Sequence, residues 1–277
     1  MNVRPAAVAG TWYPGSAETL EEEVTTHLAR ADVDRGREPP PDADLLALIA
    51  PHAGLTYSGP VAAHAYRLLR SRLFEVVVIV GPSHYVGFSG ASIWPRGAFE
   101  TPFGNMKIDE ELALTMLARC SSLHDREDAH RREHSVEMQL PFLNVVAPGA
   151  TIVPIVMGHQ TRETAFAVGD CIARAIGDRR ALIVASSDLS HFFDAATAAE
   201  LDGRVAADVS AFDAEALMRR IERRHDHACG GGPMVATMRA AKLRGATVSR
   251  VLNYADSGDV SGDKSSVVGY LAAAMWR

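Results

Sequence analysis

The chain has 277 residues, 47% of them hydrophobic, enough for a sizeable core in one large or two small domains. Its 28 Lys and Arg against 34 Asp and Glu leave a formal charge of -6 without a basic stripe, which argues against a nucleic-acid partner. No apolar run approaches the ~18 residues of a membrane span, residues 1–15 lack the basic and apolar regions of a signal peptide, and three widely spaced cysteines (Cys120, Cys171, Cys229) argue against a disulfide scaffold and for a reducing, cytoplasmic setting.

The first predicted helix covers residues 17–30, with Ser16 as its N-cap and Glu21, Glu22 and Glu23 in its early turns. Residues 31–44 are charged, carry Pro39-Pro40-Pro41 and read as a loop. The loop leads into Leu45-Leu46-Ala47-Leu48-Ile49-Ala50, an apolar run expected of a strand buried on both faces of a helix-covered parallel sheet. That strand runs straight into Pro51-His52-Ala53-Gly54. A helical stretch to about Arg72 follows, and then a second buried strand, Val76 to Val80, runs into Gly81-Pro82-Ser83-His84.

Further along, residues 91–94 predict a strand and 109–119 a helix. Residues 124–133 are strongly charged and read as solvated, with a short helix over 134–145 after them. A strand at 151–157, a helix at 161–176 and a strand at 181–185 lead to Ser186-Ser187-Asp188-Leu189-Ser190-His191. Residues 195–223 read as helical, Cys229-Gly230-Gly231-Gly232-Pro233 as a glycine-rich turn, 234–243 as a helix, and the regions near 247–254 and 266–273 as strands. Strands alternating with helices predict an α/β fold, a single domain over residues 1–277 with a mostly parallel central sheet flanked by helices.

In such sheets ligands bind beyond the carboxyl ends of the strands. His52, His84 and the pair Asp188 and His191 all fall at such ends, and neutral imidazole is the commonest nitrogen ligand of transition metals. Cys229 is a third candidate ligand, because a helix N-terminus favours the thiolate that binds metal. A buried, inert cysteine is the alternative, and it is the expectation for Cys120 and Cys171. His134 and Glu137 lie three residues apart, on one face of the short helix. They are read either as pocket residues or as a helix cap. His64 is explained by a helix face, and His27, His124, His130, His159, His225 and His227 fall in charged or exposed stretches.

Seven segments in order resemble the Memo family, which includes the "AmmeMemoRadiSam system protein B" of bacteria and archaea. They are Arg4-Pro5-Ala6-Ala7-Val8-Ala9-Gly10-Thr11-Trp12-Tyr13-Pro14, Ala50-Pro51-His52-Ala53-Gly54, Gly81-Pro82-Ser83-His84, Thr101-Pro102-Phe103-Gly104, Glu133-His134-Ser135-Val136-Glu137-Met138-Gln139-Leu140-Pro141, Ser186 to His191, and Cys229-Gly230. The resemblance implies the fold of class III extradiol dioxygenases, non-haem iron enzymes. By that analogy His52 and His84 are the two histidine ligands and Cys229 stands in place of the carboxylate. His191 would be the acid/base, with Asp188 lining the same pocket. It also implies pathway partners of the radical SAM and AMMECR types.

A thiolate is softer than a carboxylate and admits copper or zinc beside iron. Dioxygenase chemistry therefore does not follow from the fold. Three readings are carried forward. The first is a metal-dependent redox enzyme acting on an aromatic or other small substrate, with His191 moving a proton. The second is a non-catalytic protein that binds a metal or a peptide for a partner system. The third is a zinc hydrolase.

Overall fold

The computed structural model describes residues 2–31 and 38–277. Its strands are β1 (Val3–Arg4), β2 (Leu45–Ala50), β3 (Val76–Pro82), β4 (Ala91–Ile93), β5 (Ala98–Thr101), β6 (Gly104–Lys107), β7 (Leu123–His124), β8 (Thr151–Met157), β9 (Ala181–Ser186), β10 (His191–Phe193), β11 (Val248–Asp256) and β12 (Val267–Trp276). Its helices are α1 (Ala17–Arg30), α2 (Leu55–Tyr66), α3 (Glu110–Arg119), α4 (Glu127–Arg131), α5 (Leu140–Val146), α6 (Arg162–Ile176), α7 (Ala195–Ser210), α8 (Ala214–Arg223), α9 (Gly231–Leu243) and α10 (Gly258–Ser261).

The wholly apolar strands take the centre. β2, β9, β3 and β8 lie side by side and parallel, and every residue of β2, β3 and β9 is buried. Strand order across the main sheet is β10-β12-β2-β9-β3-β8-β4-β7, with β11 paired to β12. The sheet is mixed: β12 runs antiparallel to β2, and β4 antiparallel to β8. A small second sheet joins β1, β5 and β6.

The chain moves one way across the sheet from β2 through α2 to β3, and the opposite way from β8 through α6 to β9. Right-handed crossovers in opposite directions place α2 and α6 on opposite faces, which covers the sheet on both sides. α9 packs beside α6, and Gly169 permits that approach, since a Cβ there would sit 2.6 Å from the carbonyl oxygen of Ala236.

The α/β class agrees with the sequence, and Ser16 caps α1 as expected, accepting from the Thr19 N–H at 3.3 Å. Four expectations are corrected. Residues 134–145 split into a 3-10 turn at Glu137–Gln139 and α5. The helix expected over 195–223 breaks where Phe212 adopts φ 54°, giving α7 and α8. The charged stretch 124–133 is not uniformly solvated, because it buries His130 and Glu133. Cys120 and Cys171 form a disulfide between the end of α3 and α6, with Cα atoms 6.1 Å apart, where both were expected to be unpaired. Helix packing brings together two cysteines 51 residues apart, which spacing alone does not reveal. The loop expected over 31–44 falls partly on residues 32–37, outside the described residues. No helix among the described residues is long and apolar enough to cross a membrane.

Candidate metal centre

Three adjacent strands deliver the site. Ala50 pairs with Ser186 in the β2–β9 register, so the residues that follow each strand, His52 and Asp188, emerge side by side. β3 lies on the other flank of β9 and delivers His84 two residues beyond Pro82. Past the strand end, backbone N–H groups have no ladder partner and need another acceptor. Asp188 meets that need, its Oδ1 accepting from the N–H of His52 at 2.7 Å and of Ala53 at 3.3 Å.

Cys229 comes from a distant part of the sequence. Its N–H donates to the carbonyl of Asp188 at 3.2 Å. The next residue, Gly230, lies so close to the end of β9 that a Cβ would stand 2.5 Å from the carbonyl oxygen of Ser186. This contact brings the Cys229 Sγ to 3.2 Å from His52 Nε2. One ligand atom each from His52, His84 and Cys229 lie within 4.8 Å of one another. In a tetrahedral set with bonds of ~2.0–2.3 Å, neighbouring ligand atoms are separated by about 3.5 Å. The three groups fit a metal ion after adjustments of rotamer size.

Both imidazoles are oriented from behind. His52 Nδ1 lies 2.9 Å from Ser186 Oγ, which in turn donates to the Ser135 carbonyl and receives the Gln139 amide at 2.7 Å. His84 Nδ1 lies 2.8 Å from Glu133 Oε1, while Glu133 Oε2 accepts the His84 backbone N–H at 2.6 Å. In each ring the Nε2 is left to face the centre, the arrangement that second-shell partners impose on metal-ligating histidines. Glu133 also accepts from the Ser135 N–H. His84, Glu133 and His134 form a second group within 4.8 Å, but the Glu133 oxygens are already taken by these bonds. We therefore assign Glu133 to holding His84.

The electrostatics suit a metal. Burial, aided by His84, holds the His52 pKa down at about 3, so the ring stays neutral, which is the ligating form. Burial, with His52 and His84, likewise lowers His134 to about 4. Burial alone would raise Glu133, but the hydrogen bonds and charge of His84 outweigh it and bring the carboxyl to about 2. Burial, then the nearby Asp188, pushes the Cys229 thiol well up, so ionising it calls for a neighbouring cation. Burial also raises Asp188.

A cavity of about 260 Å³ opens over these groups, lined among others by Trp12, His52, His84, His134, Asp188 and His191. His191 Nδ1 donates to the Leu189 carbonyl at 2.8 Å, which leaves Nε2 as a proton acceptor. His134 lies under Trp12 and over His84, with ring centroids 4.3 and 4.4 Å away. The large exposed aromatic side chains among the described residues are Trp12, Tyr57, Tyr85 and Phe192, of which Trp12 lines this cavity. Trp12 and Tyr57 share an adjoining cavity of about 280 Å³, Tyr85 lies 6.5 Å from the His84 ring, and Phe192 lies 5.6 Å from the His191 ring.

The structure thus brings together His52, His84, Cys229, Asp188, His191 and His134. Glu137, expected beside His134, does not line this cavity. The 3-10 turn points its fully buried carboxylate away, toward Arg4 and the N–H groups of Ala7 and Val8. Sequence reasoning missed Glu133, hidden in a charged run although adjacent to His134. It also missed Trp12, whose N-terminal position gives no sign that it closes a pocket built from residues 52–229.

The family model described as Memo-like protein matches residues 4–274. The MEMO1 family protein of Methanosarcina mazei is 40% identical over 276 residues, covering 98% of each chain. That of Methanopyrus kandleri is 38% identical over 282 residues, covering 99% of each chain. Among solved structures, an uncharacterized protein of Escherichia coli K12, JW3007, superposes with a TM-score of 0.56 at 12% identity, over 82% of this chain and 99% of that one. At that identity the likeness concerns the fold alone.

Proposed function

Because the chain belongs to the Memo-like protein family over residues 4–274, we propose that it is a metal-dependent redox enzyme acting on a small substrate with an aromatic or other flat apolar group. The observation that carries this reading is the convergence of His52, His84 and Cys229 ligand atoms within 4.8 Å of one another. Iron is the first candidate metal, with copper or zinc as alternatives that the thiolate also suits. When bound, such an ion supplies Lewis acidity and, for iron or copper, electron transfer.

The remaining work falls to the chain's own residues. Glu133 and Ser186 hold the two imidazoles in ligating orientation. Trp12 stacks on a flat substrate. His191 accepts or returns a proton at Nε2, and Asp188 keeps the His52 backbone in place.

Elemental analysis of protein prepared without oxygen tests the reading. Wild type is expected to carry about one metal ion per chain, with His52→Ala and Cys229→Ser depleted of it. Oxygen uptake with catechol-type substrates tests the redox step. Absence of stoichiometric metal from wild type overturns the proposal. Bound metal with no turnover of any small substrate favours instead a carrier role beside a partner enzyme. Bound zinc with hydrolytic turnover favours a hydrolase.

A further inference from the structure

A second concavity lies outside the metal centre. It measures about 290 Å³ and is bounded by Arg204 of α7, Arg219, Arg220 and Arg223 of α8, and Arg224 and His227 of the turn that follows. Five guanidinium groups around one hollow are unexpected in a chain of formal charge -6.

Their charges are unequally compensated. Arg204 pairs with Glu200, Arg220 with Asp208 at 2.6 Å, and Arg224 with Asp226. Arg219 and Arg223 form no ion pair among the described residues. Glu222, on the same helix, is hydrogen-bonded to Arg162 through bonds of 3.0 and 2.8 Å. Of the two exposed cations of α8, Arg223 therefore borders the hollow without a carboxylate, and Arg219 has only the distant charge of Glu222, which Arg162 already holds.

His227 supplies an independent sign. It is only 4% exposed, it lines the hollow, and its Nδ1 has no hydrogen-bond partner among the described residues. A multi-oxygen anion in the hollow would receive guanidinium N–H groups in the paired geometry that arginine offers phosphate.

We propose that this hollow binds a small phosphate-bearing anion, held by Arg219 and Arg223 with His227 at its base. A nucleic-acid backbone fits less well, because the positive charge is confined to one concavity of an otherwise acidic chain and forms no track along the surface.

Calorimetric titration of the full-length protein with inorganic phosphate and with pyrophosphate, at low ionic strength, tests the proposal. Wild type is expected to bind pyrophosphate saturably, one per chain. The double variant Arg219→Gln, Arg223→Gln changes only exposed side chains and is expected to bind at least tenfold more weakly with an unchanged melting temperature. The corresponding lysine double variant is expected to recover part of the loss. Binding should persist in His52→Ala. Non-saturable binding, or equal affinity in the glutamine variant, overturns the inference. So does binding lost in His52→Ala but kept in the arginine variant, which would locate the anion at the metal centre. Binding of single-stranded oligonucleotide without any binding of pyrophosphate overturns it as well.

Discussion

One carboxylate holds His84 at two points: Glu133 accepts the backbone N–H of His84 at 2.6 Å and its ring Nδ1 at 2.8 Å. Backbone position and ring rotation are thus set by the same group. Removing such a partner typically costs metal affinity by about 10–100-fold. Glu133→Ala is expected to lose affinity within that range in a competitive chelator titration, while far-UV circular dichroism stays native. Affinity equal to wild type would mean that the ring needs no support from behind.

Trp12 packs against His134 at the cavity mouth, the rings tilted by 49° with centroids 4.3 Å apart. Aromatic pairs contribute about 0.5–1.5 kcal/mol beyond simple burial, which corresponds to roughly 2–12-fold in a dissociation constant. Trp12→Ala should weaken binding of a chromophoric catechol to the metal-loaded protein by that factor and leave metal content intact. Loss of metal together with the ligand would instead place Trp12 in support of the centre itself.

Stability should depend on acidity in a defined window. Burial lowers His52 and His130 to about 3 and His134 to about 4, whereas the unfolded chain titrates near ~6.5. Between these values the unfolded state binds more protons than the folded one. Stability of the metal-free protein is therefore complete above about pH 6.5 and declines as the pH falls toward 4. Each histidine contributes a slope of about 1.4 kcal/mol per pH unit inside its window. His130 packs against Trp94 and Phe99, away from the metal ligands. Denaturant midpoints between pH 7.5 and 4.5 should fall less steeply in His130→Phe, by about one proton's worth. Identical slopes would exclude His130 from the linkage.

Arg4 and Glu137 form a fully buried ion pair. Breaking a buried pair from one side costs about 3–5 kcal/mol, because the other charge is left uncompensated. Arg4→Met is expected to lose this much in urea unfolding. Adding Glu137→Gln, which removes the stranded charge, should recover part of it, so the double variant loses less than the two single changes summed. Strict additivity would argue against coupling between the two groups.

The strands of the site were legible because the runs ending at Ala50 and Val80 are apolar at every position and only five or six residues long, a pattern that fits a strand of a doubly covered sheet. His52, His84 and Asp188 were legible because each follows such a run. Cys229 stood out through its glycines, one of which, Gly230, is required by close contact with Ser186. Glu133 was not legible. Its neighbours Arg131 and Arg132 carry the signature of a solvated run, and only the tertiary fold turns one member of that run inward. The Cys120–Cys171 bond escaped for a related reason: it depends on two segments 51 residues apart meeting, which leaves no periodicity in either.

The way the N-terminal segment is held has a dynamic consequence. Ala7 and Val8 give their amide protons to Glu137, and Tyr13 gives its hydroxyl. Trp12 lies between these anchors in the sequence. Each transient release of the segment frees the two amide protons for exchange with solvent and lifts one wall of the cavity in the same event. The exchange rate of Ala7 and Val8 therefore works as a clock for how often the pocket stands open. A bound substrate that stacks on Trp12 should slow that clock, although it touches neither amide.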